Sequence, residues 1–187
     1  GFLSYQIGGW APPLGIEYRV DEANALVLFL IALISSVSLP YAWRSITAEM
    51  GTRGQTLFYA CWMLCVTGLM GMVVTGDAFN IFVFLEISSL STYVMVAMGA
   101  ARDKRALTAA YNYLIMGTVG ATFFVIGIGF LYLSTGTLNL ADLADRIAEL
   151  GPNRTIEAGF AFIVVGMGLK AAMVPLHLWL ANAYTYA

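Results

Sequence analysis

The sequence predicts an all-α, multi-pass transmembrane bundle of about five spans, the last broken at a proline. Three observations predict it. Of 187 residues, 60% are hydrophobic and 11% charged, where a soluble domain carries roughly 25% charged residues. The charges are clustered. Between the clusters lie stretches long enough to cross a bilayer, which takes about 18 or more largely uncharged residues: Ala23–Trp43, Gly54–Gly76 and Ala106–Ala141 hold no charge, Ala78–Ala101 holds only Glu86, and Ala158–Ala187 holds only Lys170. The net charge of −2 gives no electrostatic footprint for nucleic acid.

Residues 1–22 read as an extramembrane segment of turns and a short hairpin, and residues 23–187 as the membrane domain. GFLSYQ at the start fits the tail of an earlier helix, and the chain is expected to be a piece of a longer protein. Gly8-Gly9-Trp10-Ala11-Pro12-Pro13 is rich in turn formers and carries an interfacial tryptophan. Residues 14–21, LGIEYRVD, alternate apolar and polar side chains as a short strand does. Asp21 and Glu22 stand at the start of the first helix, where carboxylates favour the positive end of the dipole. That helix is expected over 23–43, with Pro40 near its end, and a polar loop follows over 44–54.

The second helix is expected over 55–75. Cys61 and Cys65 lie four apart on it, which suits neither a disulfide nor, without other ligands, a metal; they read as small packing residues. Gly76-Asp77 forms a turn, with Asp77 capping a third helix over 78–99 rather than serving as a gate. Arg102-Asp103-Lys104-Arg105 is the most basic loop, and the fourth helix spans about 107–133. Leu138, Leu140, Leu143, Ile147 and Leu150 then recur at helical spacing among acidic and basic residues. This predicts an amphipathic interfacial helix over 140–150, capped by Asn139 and stopped by Gly151-Pro152. The last span covers about 156–187 and breaks near Pro175. Glycines 117, 120, 166 and 168 read as close-packing positions. Arg44, Arg53, Arg102, Lys104 and Arg105 fall on one side, against Arg19, Arg146 and Arg154 on the other, so the first side is cytoplasmic by the positive-inside rule.

Glu86 and Lys170 are the residues that most need a reason, because ionisable groups at membrane depth are costly and mark ion or proton pathways by default. At 1.5 Å per residue, Glu86 lies about 13 Å below the outer surface and Lys170 about 20 Å, so both fall inside a core about 30 Å thick. Direct contact and contact through one or two waters both fit that placement. Burial favours the neutral form of each group and an opposite charge the ionised form, so the pair can load and release a proton without a cofactor. A static ion pair that fixes helix packing is the plainer alternative. Ser89 and Tyr93 share the face of Glu86, at i+3 and i+7. Pro175 frees backbone carbonyls near the lysine. His177 belongs to the residue type that exchanges protons near neutral pH, and reads either as an onward relay or as a core or interfacial histidine bonded to a carbonyl.

TGDAFNIFVFLEISSLSTYVMVA, Gly168-Leu169-Lys170 and AAMVPLHLWLANAYTYA, with GGWAPPLGIEYRVD and TGTLNLADL, together resemble the proton-translocating antiporter-like subunits of respiratory complex I and its relatives. The similarity is greatest to the D-type subunit of Mrp multisubunit cation/proton antiporters, and membrane-bound hydrogenases carry similar subunits. The resemblance implies a fold of about fourteen helices in two inverted repeats, each with a broken helix. This chain would supply the third to seventh. The resemblance implies that Glu86 is the family's glutamate on the fifth helix and Lys170 its lysine on the seventh, with His177 in a Pro-x-His-x-Trp-Leu segment. Ala181-Asn182-Ala183 stands where Pro-Asp-Ala is common, so any role of that aspartate is lost. It further implies other membrane subunits as partners, lipid as surroundings, protons and, in the Mrp case, sodium as cargo, and a bacterial or archaeal plasma or inner membrane as location. A subunit of an NADH-quinone oxidoreductase or hydrogenase and a non-conducting structural subunit are the rival readings. No cofactor or metal is expected, since the chain has no haem, iron–sulfur or nucleotide motif.

Overall fold

The computed structural model describes residues 1–186. A two-stranded hairpin, β1 (Leu3–Gln6) and β2 (Glu17–Val20), precedes seven α-helices among the described residues: α1 (Glu22–Glu49), α2 (Thr52–Val74), α3 (Ala78–Met98), α4 (Arg105–Thr135), α5 (Leu140–Leu150), α6 (Arg154–Lys170) and α7 (Leu178–Tyr186). Of these, four helices, α1 to α4, are long and apolar enough to cross a membrane unaided. At 17 residues α6 is too short alone. It completes a crossing with α7, whose last residue, Tyr186, lies under the Arg105 guanidinium, 4.6 Å from ring centroid to Cζ, at the opposite end of the bundle from the hairpin.

The first residues are not a helix tail. Leu3 to Gln6 pair antiparallel with Val20 to Glu17, which satisfies backbone groups that a helix end would leave open. The first helix does not end near Trp43 either. It continues through Pro40 to Glu49, and the expected loop shrinks to Met50 and Gly51. A proline inside a helix costs about 3 kcal/mol. Fraying the helix there would expose several backbone groups to the hydrocarbon, and each costs several kcal/mol. The fourth helix gains a turn's worth of residues across its two ends. The fifth span stops at Lys170 rather than at Pro175, and Ala171–His177 form a seven-residue interruption.

Side-chain caps set the starts of the helices that begin on the hairpin side. Asp21 accepts from the Asn24 amide, Asp77 from Asn80, Asn139 from Ala141 and Asp142, and Asn153 from Ile156. On this face the chain is stitched together by backbone bonds. Gly76 N–H donates to Glu17 O (2.9 Å), Ala78 N–H to Leu138 O (2.8 Å) and Leu140 N–H to Gly76 O (2.8 Å). Glu17 is buried beneath the hairpin, taking bonds from Ser4 and Asn139.

Helix α4 is the centre of the bundle, packed against α3, α6 and α7. Its contact with α6 is built on glycine, because helices in lipid associate by close van der Waals fit rather than by a hydrophobic drive. A Cβ on Gly166 would fall 2.6 Å from Gly120 O, and one on Gly127 would fall 2.7 Å from Gly159 O. Gly120 and Gly127 are one heptad apart, as are Gly159 and Gly166, so the two pairs form a ladder. Gly117 seats the Tyr93 hydroxyl. Gly168 is no close-packing position: its nearest neighbour would be Met173 Sδ at an ordinary 3.6 Å.

Candidate functional site

The side chains of Glu86, Ser89 and Tyr93 lie on one face of α3, as their spacing requires. That face meets the last residue of α6. Lys170 Nζ donates to Ser89 Oγ at 2.7 Å, to Glu86 Oε1 at 3.3 Å and to Tyr93 Oη at 3.3 Å. An ammonium has three donors, and here each finds an oxygen. The side chains of Lys170 and Glu86 are 13% and 24% exposed. At 3.3 Å the pair attracts by about 5 kcal/mol gross for an effective dielectric near 20, before the cost of taking both ions out of water.

The neighbouring hydroxyls explain why Ser89 is the one that reaches the amine. Ser88, Ser91 and Thr92 donate back to Leu85 O, Ile87 O and Ser88 O of their own helix, a common fate for hydroxyls inside helices. Ser89 faces α6 instead. The lysine is placed by the end of its helix. Ala171 and Ala172 make the last tight turn, to Met167 O and Leu169 O, and Met173 N–H returns to Gly168 O. Ala172 has φ 52°, in the left-handed region, and the chain leaves the helix axis there.

Pro175 sits inside the interruption. His177 sits at its far end: it is exposed, its carbonyl accepts from Leu180 N–H, and its imidazole makes no hydrogen bond among the described residues. The structure therefore gathers Glu86, Ser89, Tyr93 and Lys170 and leaves His177 outside the group. Tyr113 and Trp179, which pack behind Tyr93, escaped the sequence reading. The available signal for Trp179 was a polar aromatic just beyond a helix break, where freed carbonyls need donors.

Residues 75–187 match the family model described as NADH:quinone oxidoreductase/Mrp antiporter, transmembrane. The N-type subunit of the NADH-quinone oxidoreductase of Desulforudis audaxviator is 43% identical over 182 residues, covering 97% of this chain and 36% of that protein. The D-type subunit of the Na(+)/H(+) antiporter of Bacillus subtilis is 32% identical over 184 residues, covering 98% of this chain and 36% of that protein. Among solved structures, the archaeal membrane-bound sulfane sulfur reductase complex holds a chain that matches with a TM-score of 0.86 at 33% identity, over 97% of this chain and 36% of that one. The Mrp complex from Dietzia matches with a TM-score of 0.82 at 27% identity, over 98% and 33%. The chain thus spans 36% of the length of the two relatives from Desulforudis and Bacillus. It is a multi-pass, mostly helical membrane protein, and it belongs to the NADH:quinone oxidoreductase/Mrp antiporter membrane family.

Proposed function

We propose that this chain is the part of a proton-translocating, antiporter-like subunit in which Glu86 modulates Lys170, and Lys170 carries the proton between a half-channel and the central polar axis of the complete protein. One observation carries the reading: an amine at the end of a broken helix, in an otherwise uncharged span, has all three donors on oxygens of a second span. An opposite charge and hydroxyl acceptors favour the charged form of an amine placed this way, and withdrawing Glu86 removes that support. The glutamate shifts the balance by its charge, and Ser89 and Tyr93 fix the position of Nζ. His177 is assigned the onward relay, at the exposed end of the interruption.

In the Mrp reading the complete subunit exchanges protons for sodium without redox chemistry. The second reading, a subunit of a quinone-reducing complex driven by electron transfer elsewhere, is favoured by the higher identity to the oxidoreductase relative, 43% against 32% for the antiporter relative. Both use the same pair. The test is proton flux in vesicles holding the complete complex. Lys170→Ala and Glu86→Gln abolish coupled transport while leaving assembly intact. Near-normal transport in both variants refutes the reading. Exchange that proceeds without electron donor favours the Mrp case, and exchange that requires one favours the redox case.

A further inference from the structure

The interruption raises a mechanical question. Seven residues separate Lys170 from α7; Ala171 to Met173 bond back to α6, Leu176 N–H bonds Met173 O within the interruption, and Leu180 N–H bonds His177 O at its far end. The α7 end is tied back to α6 by Trp179. Its side chain is buried, with the residue 7% exposed, and its indole N–H donates to Leu169 O at 3.0 Å. That carbonyl belongs to the residue before Lys170. The indole ring stacks on Tyr113 of α4 with centroids 4.2 Å apart and planes 7° from parallel. Tyr113 meets Tyr93 edge to face, at 4.5 Å and 81°. Tyr93 Oη returns to Lys170 Nζ at 3.3 Å. The contacts close on themselves: from the lysine through its own backbone to the tryptophan, across two tyrosines on α4 and α3, and back to the lysine's amine.

We infer that Trp179 is a positioning residue for Lys170, holding the amine on its α3 oxygens by locking the end of α6 to an aromatic stack on α4 and α3. This rests on the reading of Lys170 as the proton carrier. The indole does two jobs that a merely space-filling side chain does not. It gives Leu169 O, which takes a 3.2 Å bond from Ala172 N–H, a further and shorter donor, and its flat face is registered on Tyr113, which packs in turn against the Tyr93 ring. A shift of the indole is therefore felt at both ends of the lysine, its backbone and its amine. The titratable groups facing the amine are Glu86 and Tyr93 of α3, with Tyr113 of α4 behind them and Cys65 of α2 and Tyr184 of α7 near Tyr113.

The test uses the complete complex in vesicles, with transport measured per assembled complex across a pH series. Trp179→Phe keeps a ring on Tyr113 but removes the N–H. Loss of that single buried bond lowers the transport rate about tenfold and displaces the pH profile. Combined with Tyr93→Phe the loss is less than the product of the two single losses, as coupled positions give. Trp62→Phe removes an indole bond to Ser35 (3.2 Å) between α2 and α1, away from the site, and leaves rate and profile unchanged. Should Trp179→Phe fail to assemble, Tyr113→Leu, which removes the stacking platform and keeps the indole bond, gives the same displaced profile. A Trp179→Phe complex, or the Tyr113→Leu one in its place, that transports within about twofold of wild type with the same profile overturns the inference. If Lys170→Ala also transports normally, the carrier reading has failed; if Lys170 is required and Trp179→Phe is silent, only the positioning role has.

Discussion

Glu17 offers a quantitative test of how the hairpin is joined to the helices. It is 7% exposed and lies between the hairpin, the turn before α3 and the start of α5. Its Oε2 accepts from Ser4 Oγ at 2.7 Å and its Oε1 from Asn139 Nδ2 at 3.0 Å. The Asn139 bond foremost, then the Ser4 bond, hold its carboxyl below the ordinary 4.5; burial opposes them and Arg19 adds to them. Hydrogen bonds to a charged partner contribute about 1.5–3 kcal/mol each, and desolvation of the carboxylate offsets part of that. Glu17→Ala should therefore weaken the local structure by about 3 kcal/mol, and Glu17→Gln, which keeps an acceptor for Asn139, by about 1 kcal/mol. The folded pKa is depressed, so the carboxylate's contribution is present in full above 4.5 and fades as pH falls through the lower folded value. The amides to watch are Gly76, bonded to Glu17 O, and Leu140, bonded to Gly76 O. Hydrogen exchange on the complete protein in lipid nanodiscs should show both protected less in Glu17→Ala at neutral pH, by about 100-fold for 3 kcal/mol of local opening. The gap between wild type and Glu17→Gln should narrow in acid. Unchanged protection in Glu17→Ala, or a gap that widens in acid, refutes the reasoning.

Two further substitutions probe the membrane half. A Cβ on Gly166 would meet backbone, 2.6 Å from Gly120 O and 2.7 Å from Phe124 N, which cannot rotate away. Gly166→Ala should cost about 1–3 kcal/mol and lower the melting temperature of the purified complex, while Gly129→Ala, with nothing within 4 Å, should leave it level or raise it; equal melting temperatures would disprove the glycine ladder. Ala172 carries φ 52°, a conformation that costs a residue with a Cβ roughly 1–2 kcal/mol. Ala172→Gly should relieve that strain against a higher unfolded-state entropy, and a melting temperature more than a few degrees below wild type would mean that the left-handed turn is not what Ala172 adopts.

Much of the fold could be read in the sequence because a spanning helix is specified by one local property, apolar length, whatever it packs against. The caps at Asp77 and Asn139 were legible for the same reason, being contained in a few residues. The misreadings share the opposite character. β1 is exposed along its whole length, and its apolar–polar alternation, Leu3-Ser4-Tyr5-Gln6, runs for only four residues; what makes it a strand is a partner that begins eleven residues after its own end. Glu17 reads as one polar step in an alternating strand, and nothing near it in sequence announces Asn139, 122 positions away. The first helix reads as ending at Trp43 because the uncharged stretch stops there, whereas α1 continues through Arg44 to Glu49, beyond what apolar length alone specifies. Glu86 and Lys170 drew notice as lone charges, whereas Tyr113 and Trp179 were two aromatics among many, distinguished only by their geometry.

The meeting of Glu86 and Lys170 also shows what counting along a helix leaves out. From the observed starts of α3 and α6, Glu86 lies about 12 Å in and Lys170 about 24 Å in at 1.5 Å per residue, a gap of two turns that no direct contact would span. The helices do not start at one level. α4 runs antiparallel to both and serves as a ruler. Ala78 packs with Phe124 and Ile128, while Ile156, two residues inside α6, packs with Leu131, so the start of α6 lies about 10 Å, or two turns, farther along α4 than the start of α3. Carried down α4, this offset brings Glu86 and Lys170 to nearly the same height. Two other contacts agree: a Cβ on Gly120 would lie 3.6 Å from Lys170 Cγ, and Gly117 receives the Tyr93 hydroxyl. The residues that set the height of the lysine are thus the α4–α6 glycines, none of which touches Glu86. A bulky substitution in that ladder should disturb the pair by displacing α6 along α4, with every one of the pair's own side chains intact.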